Sequence, residues 1–221
     1  MIAYHFISDK FALDAIKNQC LKLSLIDDLN DPFELFAADL PDSVTRKEAL
    51  KFNEHMAKKV GIICFSKNLK NPLLWSHYAD RHKGAALEFH INDNIAFSVK
   101  YRKNRYPINL KELSKGKRGV TKAETEGLWQ TKFESWKYEE EVRIICTKAE
   151  CTKKGSLFFK SFDDEISLKG IIIGPLSQIT VKDIEDKLPV GSEISVTRSR
   201  LAFRSFNIVT QRKFKKLLLK N

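Results

Sequence analysis

The stretch SWKYEEEVRIICT, residues 135–147, sets three glutamates directly in front of an apolar, β-branched run. Read as a strand from Glu141, that run commits the second half of the chain to a sheet. Strand alternation then puts Glu139, Glu141 and Arg143 on one face and Glu140 and Val142 on the other. Two carboxylates held side by side repel, which raises the proton affinity of one and is a common way of tuning a catalytic acid or base. An arginine-paired strand end facing solvent is the plainer account of the same residues.

Toward the C terminus, SLFFKSF (156–162), LKGIIIG (168–174), EISVT (193–197) and FRSFNIV (203–209) read as further strands, with a short helix near 180–188. Toward the N terminus, helices and strands mix. Residues 2–6 read as a strand, and Ser8 caps a helix to Asn18 in which Leu13, Ile16 and then Cys20 have core spacing. After LKLSL (21–25), the segment DDLNDPFELF (27–36) bends at Asn30, Asp31 and Pro32. A helix between Ser43 and Val60 is expected, with capping-box spacing at Thr45 and Glu48 and a stripe of Phe52, Met56 and Val60. GIICF (61–65) is a buried strand, Asn71 and Pro72 open a short helix, and GAALEFHI (84–91) pairs with AFSVKY (96–101) across the turn NDN (92–94). Residues 102–121 are a basic loop or insertion ahead of a helix from Lys122 to about Glu134. No repeat or linker divides the chain, so residues 1–221 are read as a single α+β domain.

Composition narrows the function. A hydrophobic content of 43% with 15 phenylalanines supplies a substantial core and argues against disorder. Asp9, Lys10 and Asp14 interrupt the region where a secretion signal needs an apolar run, and no segment reaches the length of a membrane span. A cytoplasmic protein with no membrane partner is expected. The cysteines Cys20, Cys64, Cys146 and Cys151 form no close pair, and His77 and His82 have neither helical nor zinc-finger spacing, so no metal is expected. The net charge of +11 suits either a polyanionic partner or a solvated lysine surface. Basic residues interleave with aromatics at 100–122 and 198–220, as on single-strand nucleic-acid surfaces.

Two further places set polar groups where packing alone does not ask for them. Alternation in Tyr4-His5-Phe6 sends His5 to the face opposite its aromatic neighbours, as a structural hydrogen-bonder or a catalytic group. Ser66 leaves a buried strand, and Trp75 and Tyr78 follow on the short helix, either to pack in the core or to stack on a flat ring. Dinucleotide, Walker, nucleophile-elbow and zinc-protease motifs are absent from the sequence.

Taken in order, YHFIS, LSLIDDLNDPFE, ICFSKNLKNPLLWSHYADRHKGAALEF, WKYEEEVRII and KGIIIGP resemble a widespread bacterial family of unknown function whose members look like distant ADP-ribosyltransferases. The resemblance covers about residues 4–175 and implies a split, mainly antiparallel sheet with flanking helices. It further implies NAD as substrate and a protein or nucleic-acid acceptor, in a toxin or phage-defence effector. On that resemblance Tyr4 and His5 would bind NAD, with His5 on the ribose hydroxyls, and Ser66 would support the site. Trp75 or Tyr78 would stack on nicotinamide, Glu141 would be the catalytic carboxylate and Glu139 its companion. Relatives place threonine at position 7, where this chain has Ile7 followed by Ser8. A non-catalytic nucleic-acid-binding protein on the same fold is the alternative, motivated by the charge and by Ile7.

Overall fold

The computed structural model describes residues 1–31, 33, 37–108, 120–214 and 216–221. Its centre is a mixed, mostly antiparallel sheet of nine described strands. In chain order these are β1 (Ile2–Ile7), β3 (Val60–Ser66), β4 (Ala85–Ile91), β5 (Ala96–Ser98), β8 (Glu141–Thr147), β11 (Ile166–Ile173), β12 (Glu193–Leu201), β13 (Ile208–Thr210) and β14 (Leu217–Lys220). They lie in the order β13-β12-β11-β4-β1-β3-β8-β5, with β14 also on β12. Two small sheets flank them: β2 (Cys20–Lys22), β10 (Leu157–Ser161) and β9 (Thr152–Lys154) in one, β6 (Lys100–Arg102) and β7 (Thr131–Phe133) in the other. The described helices are α1 (Asp9–Asn18), α2 (Ser43–Lys59), α3 (Pro72–Tyr78), α4 (Lys122–Gln130) and α5 (Val181–Glu185). The α+β class expected from the sequence is what the chain forms.

Both faces of the sheet are covered. Ala85, Leu87, Phe89 and Ile91 of β4 join Ala12, Ala15 and Ile16 of α1 in the larger core, whereas Ala86 turns to Phe6, Leu74, Trp75 and Ile208 on the other side. On β11 the pairing with β4 slips between Leu168 and Gly170. That bulge inserts Lys169, so Ile166 and Leu168 share a face with Ile171 and Ile173 despite the odd offset.

One junction positions everything that follows. β1 pairs with β4 from Ile2↔His90 to Ile7↔Ala85, but with β3 only at Tyr4↔Ser66. The sheet is therefore nearly parted between β1 and β3, and residues of both strands line a cavity there. Gly84 closes the far end of β1: a Cβ there would lie 2.1 Å from the Ile7 carbonyl oxygen. Gly84→Ala is expected to cost about 2–3 kcal/mol in urea unfolding by overpacking backbone against backbone. A loss near zero would show that this junction can open.

Several sequence expectations are corrected. β4 and β5 are not a hairpin; β4 lies between β1 and β11, and β5 pairs with β8. The helix expected to Glu134 ends at Gln130 and gives way to β7 and a 3-10 segment, Glu134–Glu139. The cap of α2 is Asp42, whose carboxylate accepts the Thr45 N–H at 2.8 Å, and the buried residues of α2 are Thr45 and Asn53 rather than Met56. In place of the strand expected at 203–209, a shorter one forms at Ile208–Thr210. Among the described residues no helix is long and apolar enough to cross a membrane. Most of the basic segment at 102–121 lies outside the described residues.

Candidate functional site

A cavity of about 680 Å³ opens at the parting of β1 and β3. Tyr4, His5, Ser66, Tyr78, Glu139 and Glu141 all line it, together with Lys132 and Asn30. Residues from four separate parts of the sequence thus meet at one place.

The carboxylates do not converge by strand alternation, as expected. Strand β8 starts at Glu141, while Glu139 ends the 3-10 segment. Between them Glu140 takes a left-handed backbone, φ 45° and ψ 48°, which sends its side chain out to Asn68 Nδ2 at 2.9 Å. That conformation is unfavourable for a side chain with a Cβ. It is held in place by Lys67, whose N–H donates to the Glu140 carbonyl at 3.1 Å, and by Ser66, whose Oγ donates to the Glu139 carbonyl. Ser66 therefore fastens the turn that aims Glu139.

Glu139 and Glu141 are only 3% and 5% exposed, and each has a different set of partners. Glu141 Oε1 accepts from Arg143 Nε at 2.7 Å, and Oε2 accepts from Arg143 Nη2 at 2.9 Å and Lys132 Nζ at 2.9 Å. Glu139 Oε2 accepts from Lys132 Nζ at 2.6 Å, and Oε1 from the Tyr78 hydroxyl at 2.5 Å. Burial pushes both carboxyls upward. For Glu141, Arg143 and Lys132 outweigh burial and hold it at about 2, so it stays ionised. For Glu139 burial wins over Lys132 and Tyr78, with the nearby Glu141 charge adding to the rise. The pair is thus split into a permanent anion and a carboxyl that can exchange a proton.

His5 Nδ1 lies 2.9 Å from the Cys64 carbonyl of β3, which assigns the proton to Nδ1 and leaves Nε2 as an acceptor. Burial holds its pKa below the usual histidine value, so the ring is neutral at pH 7. Tyr4 bonds Glu88 across β4, and burial followed by that carboxylate raises its phenol. Tyr78 presents its hydroxyl to Glu139, also bonded with Asn30, and burial then Glu139 push its pKa up. Trp75 is where the structure departs from the stacking role: it is fully buried, edge-on to Phe6 at 5.1 Å, with Nε1 donating to the Leu69 carbonyl at 2.7 Å. Its ring has no face open to a ligand. Ile7 lines the cavity, whereas Ser8 lines a separate one beside Asp80 and Gln178.

Sequence reasoning missed Lys132 and Tyr101, and it read Asn30 as a turn residue with no role at the cavity. Lys132 fell inside the expected helix, where a lysine reads as solvated; the strand β7 instead buries it beneath both carboxylates, its ammonium 5.0 Å from the Trp136 ring centroid. The Tyr101 hydroxyl accepts the Glu141 N–H at 2.8 Å and so fixes the first residue of β8. In the turn Asn30-Asp31-Pro32-Phe33-Glu34, Asp31 Oδ1 accepts the Phe33 N–H at 2.9 Å; Pro32 and Glu34 lie outside the described residues. Among the described residues no cluster of His, Cys, Asp and Glu is placed to hold a metal ion.

With this geometry in place, the comparisons bear on one half of the cavity. Residues 74–144 match the family described as "Protein of unknown function (DUF2971)". That span runs from α3 into β8 and includes Tyr78, Lys132, Glu139, Glu141 and Arg143, while His5 and Ser66 lie before it. No curated protein and no solved structure matches the chain.

Proposed function

We propose that the chain is an ADP-ribosyltransferase-like enzyme that binds NAD in the cavity between β1 and β3 and cleaves the nicotinamide–ribose bond. The observation that carries this reading is the convergence of His5, Ser66, Tyr78 and a split carboxylate pair on one cavity of a size suited to a small-molecule ligand. Loss of neutral nicotinamide leaves an oxocarbenium-like ribosyl cation, as glycoside cleavage does, and a fixed carboxylate lowers its energy. The acceptor nucleophile then adds to the ribosyl carbon and gives up its proton to a base.

On this reading the two glutamates exchange the roles that the resemblance implies for them. Both carboxylate oxygens of Glu141 are bonded to cations, so its role is to hold Lys132 and Arg143 in place. Glu139 has the raised pKa of an acid or base, and its Oε1 is bonded to a neutral hydroxyl, which a ribose hydroxyl can replace. His5 Nε2 offers the acceptor for a second ribose hydroxyl. Saturation-transfer NMR with NAD, followed by incubation with lysate and detection of free nicotinamide, tests the proposal. Binding plus release supports it; folded protein that neither binds NAD nor releases nicotinamide sinks it.

A further inference from the structure

The β12–β13 hairpin carries a surface that the cavity does not use. At its tip, Phe203 is 89% exposed and Phe206 is 96% exposed, in a loop closed by the Ala202 N–H on the Asn207 carbonyl at 2.9 Å. Neither ring fills any gap in the fold, and two nearly bare phenylalanines on an ordered turn mark a contact surface. The Arg200 guanidinium lies 4.5 Å from the Phe203 ring centroid, so a cation and an aromatic face are presented together. Arg204, between the two phenylalanines in sequence, is exposed, and Arg212 and Lys213 are exposed at the hairpin base. From Ile194 to Asn221 the sequence has eight lysines or arginines and no aspartate or glutamate.

We infer that this hairpin is a docking element for single-stranded nucleic acid, with bases stacking on Phe203 and Phe206 and phosphates lying against Arg200, Arg204, Arg212 and Lys213. Every base offers a π-face, so aromatic stacking flanked by cations takes a single strand without reading its sequence. A duplex keeps its bases stacked on each other and offers these rings only its backbone. A lipid surface fits less well, because seating both rings in a bilayer would drag the intervening Arg204 into hydrocarbon. The root of the hairpin is tied to the candidate site: the Ile208 N–H donates to the Lys70 carbonyl at 2.8 Å, and the same loop binds Glu140 through Lys67 and Asn68.

The inference stands independently of the NAD reading, because binding is measured without NAD. Fluorescence anisotropy with a labelled oligothymidylate of about 20 nucleotides and with a duplex of equal length is the direct measurement. The full chain is expected to prefer the single strand and to lose affinity steeply with salt. Phe203→Ala/Phe206→Ala should weaken binding about 10-fold or more with an unchanged salt slope, since no charge is removed. Arg204→Ala/Arg212→Ala should reduce that slope by nearly two. Both double variants should melt with the wild type, as all four side chains are exposed. Oligonucleotide binding indifferent to the phenylalanine pair overturns the inference. So does Phe-dependent capture by phosphatidylserine vesicles without oligonucleotide binding, or a dimer in sedimentation that the phenylalanine variant abolishes.

Discussion

Glu139→Gln is expected to lower nicotinamide release by about 10³-fold while leaving NAD affinity within about twofold. The amide keeps the shape, and its one oxygen can still accept from Lys132 with the NH2 turned to the Tyr78 hydroxyl oxygen, but it supplies neither the negative charge that a ribosyl cation needs nor a base for the acceptor proton. A loss confined to kcat is the signature of an interaction made in the transition state. Glu140→Gln is the internal control: that carboxylate faces solvent and Asn68, so release should stay within about twofold of wild type. The pH profile adds a second readout. Ionised Glu139 is the working form, and burial raises its pKa, so activity should rise with pH through a limb above the ordinary glutamate value. Lys132→Met should move that limb to higher pH, because the ammonium at 2.6 Å is the main force holding the proton affinity down. If Glu139→Gln leaves release intact while Glu141→Gln abolishes it in folded protein, the reassignment of the pair is wrong.

How much of this was written in the sequence depends on the range of the interaction. The strands Val60–Ser66, Ala85–Ile91 and Glu141–Thr147 were legible because a buried strand needs only its own apolar run, and Asn71 and Pro72 announced α3 by local capping chemistry. What joined them was not local. The NDN turn looked like a hairpin, yet Ala85–Ile91 is claimed by strands roughly 80 residues to either side, and no nearest-neighbour rule weighs that competition. At the site, the outcome of the alternation argument survived although its premise failed: Glu139 and Glu141 point together because Glu140 is left-handed, and nothing in three consecutive glutamates signals that. Lys132 was hidden for a related reason. Its partners lie seven and nine residues ahead across a turn, so a helix-period reading placed it in water when the fold buries it.

The second large effect is expected in stability rather than turnover. Arg143 is fully buried and Lys132 nearly so, and Glu141 is the anion that both share. Replacing the glutamate takes from two buried cations the carboxylate they share, so Glu141→Gln should cost about 3–5 kcal/mol in urea unfolding. Acid titration gives an independent check. Glu141 moves from 4.5 in the unfolded chain to about 2 in the fold, a depressed pKa, so its contribution is complete above 4.5 and is lost as the pH falls toward 2. That difference is worth on the order of 3 kcal/mol. Glu139 acts with the opposite sign: its raised pKa means the fold binds the extra proton, and stability drops as pH rises from the ordinary glutamate value through the raised one. The wild type should therefore climb between pH 2 and 4.5 and then decline. Glu141→Gln should flatten the climb, Glu139→Gln should flatten the decline, and Glu141→Gln/Arg143→Met should recover part of the single-variant loss, because the double change removes the guanidinium along with its carboxylate. A double variant less stable than Glu141→Gln alone would mean that Arg143 is held chiefly by its bond to the Trp129 carbonyl at 2.9 Å and by its packing, and that the carboxylate is not what keeps it in the core.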